Sequence, residues 1–130
     1  MDASNYWITI AELPSFKKSA SDIFDRDEIE CLIALLSNQP DAGAIMPRTG
    51  GVRKLRWGAK GKGKSTGARI LYFFHDLNMP LYLLLCYSKS DRIDISEKEK
   101  STMRNLTRGL VEMNWDKRNY TGLIQVPKSA

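Results

Sequence analysis

The chain has 130 residues, 42% hydrophobic and 27% charged, with a formal net charge of +5; that is the size and make-up of one soluble domain with a real core, and too little for two. Its longest apolar run, Leu81 to Cys86, is strand-sized, so no bilayer-spanning helix is expected. Charge is unevenly placed: residues 1–47 hold three basic and eight acidic side chains (net −5), residues 48–69 hold +8 with no acid, and residues 70–130 hold nine basic and seven acidic (+2).

The N-terminal MDASNYWITI lacks the basic start and apolar core of a secretory signal, which leaves the cytoplasm as the expected compartment. Tyr6 to Ile10 is a β-branched and aromatic run stopped by the Glu12–Ser15 turn with its Pro14, and predicts a first strand. Phe16 to Phe24 predicts a helix. Asp25 with Glu28 three residues on forms a capping box for a second helix, in which Ile29, Leu32, Ile33 and Leu36 fall at helical spacing. Asn38, Gln39 and Pro40 close it, and Asp41 to Gly51 reads as a loop. Val52 to Trp57 alternates, with Val52, Lys54 and Arg56 on one face and Arg53, Leu55 and Trp57 on the other, so this strand shows cations on both sides. Gly58 to Gly67 is a flexible connection, and Ala68–Phe74 and Leu81–Tyr87 are apolar strands joined as a hairpin through Asp76–Pro80. Ser96 with Glu99 opens a C-terminal helix that aligns Met103, Leu106, Leu110 and Met113. Residues 116–130 show no clear period and read as a flexible or accessory tail. Cys31 and Cys86 sit in apolar patterns without metal-like spacing, and are expected to be buried free thiols. The order β, α, α, three strands, α predicts an α+β domain with helices packed on one face of a mainly antiparallel sheet, followed by a C-terminal helix.

The basic window Arg48–Arg69, RTGGVRKLRWGAKGKGKSTGAR, holds eight Lys or Arg and six of the nine glycines, a composition suited to a phosphate-bearing polyanion. Within it GAKGKGKS, Gly58 to Ser65, satisfies the P-loop expression. A P-loop needs a helix opening at its Lys-Ser pair to present amides to phosphate, whereas Thr66-Gly67-Ala68-Arg69 leads directly into the β pattern Ile70–Phe74, so nucleotide hydrolysis is rejected. The one histidine, His75, lies in an apolar run and is read as packed or at the solvent edge; Asp91, Asp94, Glu97 and Glu99 are read as loop and helix-start charges. Lys and Arg remain. They suffice for RNA phosphodiester cleavage, because the ribose brings its own nucleophile and the protein need only orient the backbone, neutralise charge at the phosphate and assist proton movement. The same residues would serve plain nucleic-acid binding.

The strings GGVRKLRW, GKGK, GARILYFF and LYLLLCYSK followed by a capped helix resemble the RelE/ParE toxin superfamily, above all its HigB-type branch, over about Ile8 to Leu110. The resemblance implies a RelE-like α+β fold with a twisted sheet and a basic concave face, and the toxin of a type II toxin–antitoxin pair. Its RelE and HigB members cleave messenger RNA in the ribosomal A site, as metal-independent endoribonucleases without cofactors, and are held in check by a cognate antitoxin, here expected to be a helix-turn-helix protein. Carried onto this sequence, Lys54 and Arg56 match the paired cations that orient RNA and assist attack, with Lys54 read as the base. Arg69 matches the arginine that stabilises charge at the phosphate, and Lys89 a cation that helps protonate the leaving oxygen. RelE-like members carry a catalytic tyrosine that has no counterpart in Ser90–Ser96. Lys60, Lys62 and Lys64 are read as clamps on the RNA backbone. Arg53, Trp57, Tyr87 and Arg92 complete the RNA-binding candidates, Trp57 and Tyr87 being equally suited to base stacking and to packing. The alternatives are a ParE-like toxin that inhibits gyrase and a non-catalytic nucleic-acid-binding domain.

Overall fold

Residues 8–58, 67–92 and 94–120 are described by a computed structural model, with side chains as far as Trp115. In chain order they form β1 (Ile10–Glu12), α1 (Pro14–Ala20), α2 (Arg26–Asn38), β2 (Ala44–Ile45), β3 (Val52–Trp57), β4 (Ala68–Phe73), β5 (Leu81–Ser88) and α3 (Glu97–Tyr120). The strands make one sheet in the order β1-β5-β4-β3-β2, with β1 parallel to β5 and every other pair antiparallel. The α+β class is therefore as expected.

Alternation in the strands sends apolar side chains to two cores. On one face Phe16 of α1 and Leu32 and Leu36 of α2 cover Ile70, Tyr72, Leu81 and Leu83, all without solvent exposure. On the other face Met103 and Leu110 of α3 cover Val52, Leu71, Phe73, Tyr82 and Leu84. Burying each such side chain stabilises the fold by about 1.5–3 kcal/mol. The C-terminal helix thus lies across the sheet from α1 and α2. No helix among the described residues is long and apolar enough to cross a membrane.

Both capping boxes form: Asp25 and Glu28 exchange bonds of 2.8 and 3.0 Å at α2, and Ser96 and Glu99 bonds of 3.1 and 2.9 Å at α3. The face of α3 differs from the expected one. Met103, Thr107, Leu110 and Asn114 are buried, while Leu106 and Met113 are 38% and 45% exposed. Thr107 and Asn114 can enter because their polar atoms find partners: Thr107 Oγ1 donates to Thr49 O at 3.4 Å or Arg104 O at 3.0 Å, and Asn114 Nδ2 donates to Tyr82 Oη at 3.1 Å and Leu110 O at 2.8 Å. Helix α3 also runs on to Tyr120, into residues that have no apolar period.

Three smaller corrections follow from pairing. The first strand lies at Ile10–Glu12, where β5 offers partners at Leu81–Leu83, and Tyr6 and Trp7 fall outside the described residues. The loop Asp41–Gly51 contains a two-residue strand, Ala44–Ile45, set against Lys54 and Arg53. Cys86 is buried as expected, but Cys31 is exposed on α2. His75 stands at the solvent edge, 3.8 Å from Asp76.

β5 contains one extra residue. Leu71 pairs with Leu85 and Tyr72 with Leu83, which leaves Leu84 as a bulge. Before it, Leu81 and Leu83 face α1 and α2; after it, Leu85 and Tyr87 face the α3 side.

Candidate RNA-binding and catalytic site

The antiparallel register of the central strands builds the site. Arg56 pairs with Arg69, and Arg69 with Tyr87, so these three form adjacent rungs on one face. Lys54, two residues before Arg56, shares that face beside Leu71. This is the face that α3 covers at its other end through Val52, Phe73 and Tyr82. The sheet thus presents an apolar half to α3 and a cationic half beyond it.

The cationic half holds donors that the protein does not satisfy. Arg69 Nη1 and Tyr87 Oη are both buried, and neither has a hydrogen-bond partner among the described residues. Buried orphans of this kind are rare and costly, and a phosphate oxygen is the natural acceptor for a guanidinium N–H. Burial, and then the nearby Asp94 charge, push the Tyr87 phenol above its ordinary value against Arg92 and Arg69; Asp94 lies within electrostatic reach of the hydroxyl without a hydrogen bond of good geometry to it. The phenol is therefore a donor at neutral pH.

The turn after β5 closes the site. Arg92 lies over the Tyr87 ring, 4.8 Å from its centre, and is gripped by both oxygens of Glu99 at 3.0 and 2.9 Å. The backbone N–H of Ser96 and then Arg92 lower the Glu99 carboxyl below its usual range. Glu99 caps α3 with the same carboxylate, so the helix start and the cover of Tyr87 are one structure. Lys89 is exposed in that turn, and its N–H reaches Gly67 O at 3.4 Å, which places it at the end of the sheet that carries Arg69.

A comparison with protein families matches residues 38–120, well over half of the chain, to the RelE toxin of the RelE/RelB toxin–antitoxin system. The chain belongs to the RelE toxin family. The matched stretch contains β2 to β5 and α3, and with them every side chain of the cationic face.

Within this RelE-family chain the candidates divide. Lys54, Arg56, Arg69 and Tyr87 share one face, with Arg92 above it. Arg53 and Trp57 lie on the opposite face: Arg53 Nη1 donates to Gly43 O at 2.6 Å and Asp41 O at 3.3 Å, bracing the loop, and Trp57 packs against the core under α2. Lys60, Lys62 and Lys64 lie outside the described residues. Asp94, read from sequence as a loop charge, comes to 3.7 Å from Lys54 Nζ. Nothing in the local sequence marks it, since the contact joins a turn residue to a strand through tertiary structure.

Proposed function

We propose that this chain is the toxin of a type II toxin–antitoxin pair and cleaves messenger RNA on the ribosome, by attack of the ribose 2′-hydroxyl on the neighbouring phosphodiester. The observation that carries this reading is the shared face of Lys54, Arg56 and Arg69, with a buried Arg69 N–H left without an acceptor among the described residues, in a RelE-family chain. Lys54 and Arg56 orient the RNA backbone, Arg69 takes the charge that grows on the phosphate, and Lys89 protonates the departing 5′ oxygen. Tyr87 and Arg92 bound the pocket for the flanking base. No metal or cofactor is needed. The GG-x-RK-x-R-W and GKGK strings support placement in the HigB-type branch. The partners of this reading are the ribosome, its message and a cognate antitoxin of helix-turn-helix type, and the compartment is the cytoplasm. An acidic antitoxin segment over Val52–Arg69 would match the charge of that strand pair.

Mapping transcript 5′ ends after expression of the chain alone tests the reading. New ends within translated messages are expected. Intact messages during growth arrest, or DNA breaks with an SOS response as a ParE-like toxin would give, overturn it.

A further inference from the structure

Asp94 belongs by sequence to the turn between β5 and α3, yet its carboxylate points back to the cationic face. Its Oδ1 accepts from its neighbour's N–H, Ile95, at 2.8 Å and lies 3.7 Å from Lys54 Nζ. The Lys54 and Asp94 side chains are 34% and 43% exposed, so the pair sits at the mouth of the site within reach of a polynucleotide. An ion pair this exposed contributes little to stability. Toward a phosphodiester, moreover, the carboxylate is repulsive. Neither the worth of the Lys54 pair nor RNA affinity accounts for its position, which also brings it within electrostatic reach of the Tyr87 hydroxyl. The reaction proposed above also needs a proton acceptor; the family resemblance offers Lys54 for it, but an ammonium and a guanidinium have only donors to offer, whereas the carboxylate beside Lys54 Nζ is an acceptor as it stands.

Resting on the ribonuclease reading, we infer that Asp94 is a catalytic residue, the general base for the attacking 2′-hydroxyl, with Lys54 holding its carboxylate at the mouth of the site. The carboxylate takes the 2′ proton while the 2′ oxygen bonds to phosphorus and the bond from phosphorus to the 5′ oxygen breaks. Lys89 gives that 5′ oxygen a proton. The products are a 2′,3′-cyclic phosphate and a 5′-hydroxyl, and exchange with solvent then deprotonates Asp94 and reprotonates Lys89. Lys54 of β3 and Tyr87 of β5 face the carboxylate; Arg56 and Arg69 share their side of the sheet, and Arg92, bound by Glu99 of α3, lies over the Tyr87 ring. The phenol of Tyr87, held protonated by burial and by the Asp94 charge, does not compete for the base role.

Asp94→Asn tests this, because asparagine keeps the side-chain oxygen that accepts from Ile95 N–H and so preserves the turn. The full chain is added to translating ribosomes carrying a short message, and single-turnover cleavage is followed at neutral pH. In Asp94→Asn the rate should fall by about 100-fold or more, with binding to the programmed ribosome unchanged or tighter. Asp94→Glu should regain part of the rate. An Asp94→Asn protein that cleaves as fast as the wild type, or faster, overturns the inference and marks Asp94 as a plug that competes with phosphate. Uncut message with the wild-type protein overturns the ribonuclease reading and this inference together, so the two failures are distinguishable.

Discussion

Tyr72 uses its hydroxyl twice. It accepts from Gly43 N–H at 2.7 Å and donates to Pro40 O at 2.9 Å, and its ring is without solvent exposure. These bonds tie the loop after α2 to β4, and Arg53 braces the same loop from β3. Tyr72→Phe leaves a buried N–H and a carbonyl without their partner, so a loss of about 1–3 kcal/mol is expected in urea unfolding, with little change in slope. Arg69→Ala should behave in the opposite way. Its Nη1 has no partner among the described residues, so cell killing should disappear while unfolding free energy stays within about 0.5 kcal/mol of wild type; a large loss of stability would place Arg69 in the scaffold. At this scale alternation places Lys54 and Arg56 on one face of β3, and the pairing of β3 with β4 adds Arg69 to it; the sequence pattern goes no further. It could not show Asp94, nor that Tyr87 joins them, since both depend on contacts between segments remote in sequence.

At the scale of elements, α3 begins where the site is closed. Glu99 caps the helix, grips Arg92 and has its carboxyl lowered from an ordinary value of 4.5 by the Ser96 N–H and Arg92. A carboxyl lowered on folding adds stability above its unfolded value and loses it as pH falls through that value to the folded one. Glu99→Gln is therefore expected to lower the thermal midpoint slightly at neutral pH, the pair being partly exposed, and the gap to wild type should close below about pH 4.5. A gap that widens on acidification would refute the assignment. Both helix starts were legible in sequence because a capping box is local. The buried stripe of α3 was not: Thr107 and Asn114 are polar, and their places depend on Thr49 and Tyr82 far along the chain.

Across the whole molecule the charge is sorted. The cationic rungs occupy the α3 side, and of the two helices on the other side α2 carries Asp27, Glu28 and Glu30 while α1 carries Lys17 and Lys18. On the proposed function, the Lys54, Arg56 and Arg69 side chains would draw RNA to the α3 side of the sheet. Binding should weaken steeply with salt, and replacing Arg56 by alanine should reduce the slope of log affinity against log salt by about 0.7 for a contact to single-stranded RNA. An unchanged slope in fluorescence anisotropy titrations would mean that Arg56 makes no phosphate contact. The class of fold was readable from element order, whereas the two-sided layering was not, because period-two alternation says that a strand has two faces without saying what covers each.

The extra residue at Leu84 gives β5 something like a reading frame. Its first half is written for the core under α1 and α2, and its second half, one step out of phase, puts Tyr87 into the cleft while Cys86 faces inward. Deleting Leu84 would remove the bulge and put Leu83 and Leu85 on consecutive rungs, with Tyr87 still opposite Arg69, whereas one residue inserted between Leu85 and Cys86 would exchange Tyr87 and Cys86 and silence the pocket while sparing the ladder. For this strand the frame beyond the bulge therefore governs chemistry, and substitution acts on packing.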